Sequence, residues 1–314
     1  MTTGQRQRIV LFGGAGLVGQ NLALLLGERG ETDIIVIDKH ARNLATLARL
    51  QPAVAVIEAD MANPGPWQDA CQGATEAVML QAQIGGNDAA MFRRNNIEAT
   101  RNALVSLARH GIPNLIHVSS SVVNSMADDL YIETKLAQEE LVQASGVPHT
   151  ILRPTLMFGW FDRKHLGWLA RFMKRTPVFP IPGTGHYLRQ PLYAADFCRI
   201  VIACLDRKPA GETFDITGAE EIDYIDIIRE IRSATGARAV ILPIPTALFA
   251  ALLRTYALIN RDPPFTAAQL EALVTPDRFP LIPWWEIFNV RRTSFRDAIR
   301  ETFTGRHAGV TLEF

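Results

Sequence analysis

The stretch Gly13-Gly14-Ala15-Gly16-Leu17-Val18-Gly19 follows directly on a short β-branched run at residues 9–12 and opens a helical pattern. Strand, glycine-rich turn and helix in that order constrain the chain more than any other feature. The chemistry needs one glycine for the tight turn, one to let the backbone approach a pyrophosphate and one for close packing of the helix. The helix N-terminus then favours the anion. A second strand at 34–37 runs into Asp38, 19 residues beyond Gly19, where a carboxylate can accept bonds from adenosine ribose hydroxyls. Its charge would repel a 2′-phosphate, so NAD is preferred. Lys39 follows directly and partly offsets that repulsion, which leaves NADP open. A third strand ends near Asp60-Met61, an edge for adenine or simply a turn Asp.

The rhythm of short β-branched runs and helices continues. Further strands are expected at 54–57, 77–80, 115–118 and 150–152, with a long helix over 88–110 and another from residue 130. Such alternation implies an α/β doubly wound parallel sheet of the Rossmann kind. Past Arg153-Pro154 aromatic and proline-rich segments interrupt the pattern. The expected division is a dinucleotide-binding domain over 1–154 and a smaller C-terminal α/β substrate lobe over 155–314, with segments around 186–218 returning to the first domain. Residues 239–259 form the most apolar stretch, but Pro243, Pro245 and Arg254 interrupt it, so a strand running into a buried helix is expected rather than a membrane span.

Composition removes several classes of function. Lys plus Arg equals Asp plus Glu at 32 each, so no global charge draws the chain to nucleic acid. Cys71, Cys198 and Cys204 lack paired spacing, and the seven histidines are scattered, so neither a disulfide framework nor a metal site is expected. The N-terminus lacks the pattern of a secretory signal, and a cytoplasmic location is expected.

The fifth strand runs into Ser119-Ser120-Ser121, and ten residues after Ser121 comes Tyr131-Ile132-Glu133-Thr134-Lys135. Tyr and Lys four apart share a helix face. An ammonium beside a phenol would lower the phenol's pKa, and a serine hydroxyl on the same oxygen would steady a substrate carbonyl. That set suits proton transfer at a carbinol or carbonyl. Asp128 and Asp129 at the helix start read as caps.

With these residues in place, the sequence resembles the short-chain dehydrogenase/reductase superfamily, in its extended branch of nucleotide-sugar epimerases, dehydratases and ketoreductases. The resemblance implies cofactor contacts from Gly13, Gly16, Leu17, Val18, Gly19, Asp38, Lys39, Asp60, Met61, Ala82, Tyr131, Lys135 and Pro154, and catalysis by Ser120, Tyr131 and Lys135. Ser121 is the fallback for Ser120 and a substrate contact. The Asn96-Ile97-Glu98-Ala99-Thr100 segment is similar to the family's helix after the fourth strand. The run from Pro182 to Asp196 is similar to the segment in which an Arg grips a nucleotide diphosphate, and Arg189 takes that place. A surface Arg paired with a carboxylate is the plainer alternative, and Arg291 and Arg292 are weaker candidates for a second contact.

The implied activity is an NAD-dependent 4-epimerase or 4-keto reductase of a nucleotide-linked sugar, in a homodimer. Three departures qualify it: the short spacing from Ser121 to Tyr131, Leu156 where many members carry Asn, and an Asp262-Pro-Pro-Phe run resembling an atypical branch that binds a dinucleotide without turnover. A non-catalytic assembly or sensor protein, and a reductase of an apolar carbonyl substrate walled by the helix from Thr246, are the alternatives. Trp160 to His165 read as a substrate-shaping loop or a packing segment, Trp284-Trp285 as packing for the C-terminal lobe, and His117 as a core or hydrogen-bonded residue.

Overall fold

The computed structural model describes residues 7–30, 32–124, 129–259, 270, 274 and 278–313. In the first half, β1 (Gln7–Phe12), α1 (Leu17–Gly27), β2 (Thr32–Asp38), α2 (Ala41–Leu50), β3 (Ala55–Glu58) and β4 (Glu76–Met79) alternate as the pattern requires. Next come α3 (Ala89–Phe92), a π-helical turn over Arg93–Glu98, α4 (Ala99–His110), β5 (Leu115–Val118), α5 (Leu130–Ala144) and β6 (His149–Pro154). The single long helix expected over 88–110 is thus widened in its middle. Asp128 lies outside the described residues, and Asp129 caps α5, accepting from the N–H groups of Tyr131 (2.8 Å) and Ile132 (2.9 Å).

The second half adds β7 (Met157–Phe158), α6 (Leu166–Arg175), β8 (Val178–Pro182), β9 (Leu188–Arg189), β10 (Leu192–Tyr193), α7 (Ala194–Arg207) and β11 (Thr213–Ile216). It continues through β12 (Ile222–Asp223), α8 (Tyr224–Thr235), β13 (Val240–Ile244), α9 (Thr246–Ile259), α10 (Trp284–Ile287) and α11 (Phe295–Thr304). The central sheet has the order β11-β6-β5-β4-β1-β2-β3, every neighbour pair being parallel. Consecutive strands run outward from β1 in both directions, so the switch of winding falls between β1 and β4. In such sheets a crevice opens there, beyond the carboxyl ends of the strands.

Both faces of the sheet are covered. On one, α1 and α7 pack with Leu11, Ile116, Phe197 and Ile216, and Trp284 seals the layer, donating from Nε1 to the Thr217 carbonyl at 2.9 Å. That placement corrects the expectation for Trp284, which packs the sheet core rather than the C-terminal lobe. On the other face Phe12, Trp67, Met79 and Leu107 form a second layer. The C-terminal lobe has its own core of α6, α8, α11 and β8 side chains.

One further expectation is corrected. The helix after β13 is not buried: Leu248 and Leu252 of α9 are 50% and 51% exposed. Among the described residues no helix is long and apolar enough to cross a membrane. Of the run beginning Asp262-Pro-Pro-Phe, only Leu270 falls within the described residues. Trp160 and Phe161 are buried and pack with Leu24 of α1 and Leu312. Asp162 accepts from the N–H groups of His165 and Gly167 at the start of α6. This is the packing reading of that loop.

Candidate active site

Because the sheet is parallel, one edge carries every strand's carboxyl end, and the expected residues fall along it. Gly13 follows β1, Asp38 ends β2, Asp60 follows β3, Ala82 follows β4, Ser119 to Ser121 follow β5 and Pro154 ends β6. Arg189 stands apart on β9.

The three glycines do different work. Gly13 has φ +71°, and a Cβ there would lie 2.6 Å from the backbone of Gln81, so the turn crosses hard against the loop after β4. At Gly19 a Cβ would meet the Gly14 carbonyl at 2.3 Å, which lets α1 sit close on the turn. At Gly16 a Cβ would find only the Gly13 carbonyl oxygen, 4.0 Å away. Gly16 caps α1 without a side chain to take its first N–H groups, and Leu17 and Val18 form the half-buried first turn. Open space before uncapped N–H groups is what a pyrophosphate requires, so these residues fit a dinucleotide.

Asp38 is buried at the end of β2. Its Oδ2 accepts from the Ala15 N–H at 3.0 Å, and its Oδ1 accepts from the His40 N–H at 3.0 Å and lies 2.8 Å from His40 Nδ1. Burial works to raise its pKa, but the His40 ring and the Ala15 and His40 N–H groups outweigh it and hold the carboxyl below its ordinary value. The carboxylate is therefore an anion that ties the end of β2 to the glycine turn. Asp60 makes no such tie. Its Oδ2 takes Arg94 Nη2 at 2.5 Å and its Oδ1 takes the Ala62 N–H at 3.1 Å, while Met61 is buried beneath with Trp67. Exposed Lys39 donates to Asn95 Oδ1 at 2.8 Å.

At the other side of the crevice the Ser120 hydroxyl and the Tyr131 phenol are brought together, close enough for the hydroxyl to act on the phenol's pKa. Burial raises the phenol's pKa, the Ser120 hydroxyl lowers it, and the Asp129 carboxylate raises it further, so the phenol stands above its ordinary value. The expected lowering by Lys135 is not found. The Lys135 amine is 1% exposed, donates to the Val118 carbonyl at 2.9 Å, and is pushed down to about 7 by burial against an opposing pull from Glu139. Desolvation disfavours the charge, so near neutral pH the amine is divided between its charged and neutral forms. His117, one residue before Val118, is wholly buried, and neither ring nitrogen is bonded among the described residues, so it is a core residue and not a hydrogen-bonded one. Burial, then the Lys135 charge, keep it well below its ordinary value. Ser121 is buried at the start of a 3-10 turn over Ser121–Asn124.

Arg189 pairs across β9 and β12 with Ile222, its guanidinium 5.4 Å from the Tyr187 ring centroid and its Nη1 2.7 Å from the Leu188 carbonyl. Tyr187 in turn stacks on Tyr224 at 5.3 Å. Arg291 and Arg292 are exposed, and Arg292 lies over the Trp285 ring at 5.0 Å. Leu156 is 49% exposed.

Three positions carry more than the sequence reading gave them. Asn96, in the π-helical turn, takes the Gln83 N–H on Oδ1 at 2.5 Å and donates to the Gln83 carbonyl (3.2 Å) and to Thr134 Oγ1 (2.9 Å). It ties the loop after β4 to the helix of Tyr131 and Lys135. A widened turn is a common way to aim one side chain inward. Glu139, one turn beyond Lys135, receives a two-pronged bond from Arg153 (2.9 and 2.6 Å). His40 holds Asp38. The only signal for any of them was a polar residue beside an expected site, which spacing alone does not resolve.

Comparisons with known proteins agree with this geometry. The family model described as "NAD dependent epimerase/dehydratase family" matches residues 9–217. A dTDP-glucose 4,6-dehydratase of Streptomyces niveus is 26% identical over 266 residues, covering 73% of this chain and 78% of that protein. The mouse NADH dehydrogenase [ubiquinone] 1 alpha subcomplex subunit 9 is 24% identical over 292 residues, covering 90% and 76%. Among solved structures, the UDP-glucuronic acid 4-epimerase of Bacillus cereus in complex with NAD aligns with a TM-score of 0.68 at 20% identity, covering 95% of this chain and 100% of that one. That last likeness is one of fold.

Proposed function

Since the chain belongs to the NAD dependent epimerase/dehydratase family, enzymes of the short-chain dehydrogenase/reductase superfamily, we propose that it is a 4-epimerase or 4-keto reductase of a nucleotide-linked sugar. The observation that carries this reading is the placing of Ser120 and Tyr131 together at the carboxyl end of β5, with Lys135 one helical turn on. Gly16, Leu17 and Val18 would hold the pyrophosphate and Asp38 the adenosine ribose, with Pro154 and Ala82 lining the same edge. NAD, when bound there, supplies the site that takes or gives a hydride.

The rest is the work of this chain's own groups. Tyr131 holds a proton at its phenol oxygen and exchanges it with the sugar hydroxyl or carbonyl. Ser120 orients that oxygen from the other side, and Ser121 closes the wall. Lys135, with one acceptor for its amine, has donors left for a neighbouring hydroxyl. Arg189, backed by the Tyr187 ring, presents a planar fork to a diphosphate. Epimerisation and net reduction use the same groups. A homodimer through α4 and α5 belongs to this reading, since Val105 and Leu136 on those helices are 56% and 41% exposed.

Tyr131→Phe tests it. The variant should lose turnover on a panel of UDP- and dTDP-sugars while binding NAD+ as the wild type does; undiminished turnover refutes the mechanism. One finding favours a second reading, an assembly protein without turnover: the mouse subunit aligns over 90% of the chain, against 73% for the dehydratase. Absence of any sugar-nucleotide binding across the panel, with NAD+ still bound, would favour that reading.

A further inference from the structure

An ionised carboxylate accepts at about four lone-pair positions, and the described residues occupy three of those on Asp38. Oδ1 is met twice by His40, through its N–H at 3.0 Å and its ring at 2.8 Å. Because the carboxylate can only accept, Nδ1 carries the ring hydrogen. Oδ2 is met once, by the Ala15 N–H at 3.0 Å. One position remains. The adenosine ribose of NAD brings two adjacent hydroxyls to this carboxylate, whereas NADP carries a phosphate in place of one of them. A ring seated on Oδ1 therefore competes with a bond that only NAD can make in full.

We propose that His40 sets the strength of the preference for NAD over NADP by occupying the Asp38 oxygen that a second ribose hydroxyl would use. The inference rests on the reading of Asp38 as the ribose acceptor. Competition from the neighbouring cations is weak, because each is drawn elsewhere: Lys39 Nζ lies 2.8 Å from Asn95 Oδ1, and Arg42 Nη1 lies 2.5 Å from a Glu313 carboxylate oxygen. The His40 side chain is 41% exposed, so its replacement leaves the core untouched.

Isothermal titration of the full chain with NAD+ and, separately, NADP+ tests this without any sugar substrate. His40→Ala removes the ring from Oδ1 and keeps the backbone N–H there, which opens one acceptor position, so NAD+ should bind about threefold or more tighter while NADP+ changes by less than about twofold. His40→Leu, which keeps bulk and has no donor, should do the same, and melting curves identify a variant that has lost its fold. Unchanged or weaker NAD+ binding in both folded variants, or an equal gain for NADP+, overturns the inference. A wild-type chain that binds neither dinucleotide would refute the cofactor site, and this inference with it.

Discussion

Gly16→Ala and Gly19→Ala differ by three positions in one turn and should fail in opposite ways. At Gly19 the new methyl would lie 2.3, 2.4 and 2.5 Å from the carbonyl oxygen, Cα and carbonyl carbon of Gly14, where ordinary contact begins at 3.4 Å. Those are backbone atoms, so α1 as a whole must withdraw by about 1 Å from a close-packed layer, at a cost of about 1–3 kcal/mol. For a chain of this length that lowers the melting temperature by about 2–6 °C. Gly16 has φ −80° and ψ −177°, which alanine adopts freely, and its nearest neighbour is 4.0 Å away. Only the N-cap preference for Gly over Ala is lost there, at most about 1 kcal/mol. Its methyl, however, would stand in the space proposed for the pyrophosphate, and NAD+ affinity should fall about tenfold or more. Differential scanning fluorimetry and calorimetric titration of both variants separate the effects. Wild-type NAD+ affinity in Gly16→Ala would refute the cradle, and wild-type melting in Gly19→Ala would refute the close approach.

Other perturbations act through buried charge. The Lys135 amine sits at about 7 in the fold against an ordinary 10.5, so between those values the unfolded chain binds the extra proton. The cost of burying the amine is complete below pH 7 and fades as pH rises toward 10.5. Lys135→Met should therefore gain roughly 3–5 kcal/mol over wild type at pH 6, and less at pH 9.5; urea titrations giving equal gains at both would sink the argument. His117 is held well below its ordinary 6.5, so wild type loses stability as pH falls through 6.5 and the unfolded ring takes a proton. His117→Leu should be more stable by about 1 kcal/mol at pH 7, and the gap should widen at pH 5. A gap that stays constant with pH speaks against a neutral buried ring. Arg153→Met strands Glu139, whose side chain is 5% exposed, and should cost about 3 kcal/mol, most of it recovered by adding Glu139→Leu. A coupling below about 1 kcal/mol in that double-mutant cycle would show the pair to be a surface one.

Hydrophobic rhythm and glycine spacing were enough for the sheet, because strands at 9–12, 34–37 and 115–118 are short β-branched runs whose periodicity is local. They were not enough where a partner distant in sequence decides. Trp284 reads as packing of some kind, yet which core it seals depends on Thr217, 67 residues away in sequence. The apolar stretch from Thr246 reads as buried because burial is the usual fate of Leu and Phe, but α9 leaves Leu248 and Leu252 half in solvent. Asp60 and Arg94 lie 34 residues apart, so no spacing rule joins them. The widened turn at Arg93–Glu98 has the composition of an ordinary helix and is settled by the bonds Asn96 makes to Gln83 and Thr134.

The Tyr131 and Lys135 pair shows the same limit at the site itself. Spacing of four places two side chains on one helix face and says nothing of how deep each goes. The phenol stands at the first turn of α5, beside the Asp129 cap, and the amine lies one turn further in, under the sheet edge at Val118. Depth then decides charge. An amine titrating near 7 is close to half neutral at physiological pH, and a neutral amine does not draw a phenol toward its anion. Among the described residues only Ser120 pulls the phenol downward, against burial and Asp129. Tyr131 is thus built to hold its proton until a substrate oxygen arrives, and its release must be driven from the substrate side of the crevice. Ultraviolet titration of the free chain should accordingly find this phenol still protonated at pH 10, and phenolate absorbance from it at pH 8 would show that depth had been overruled by spacing.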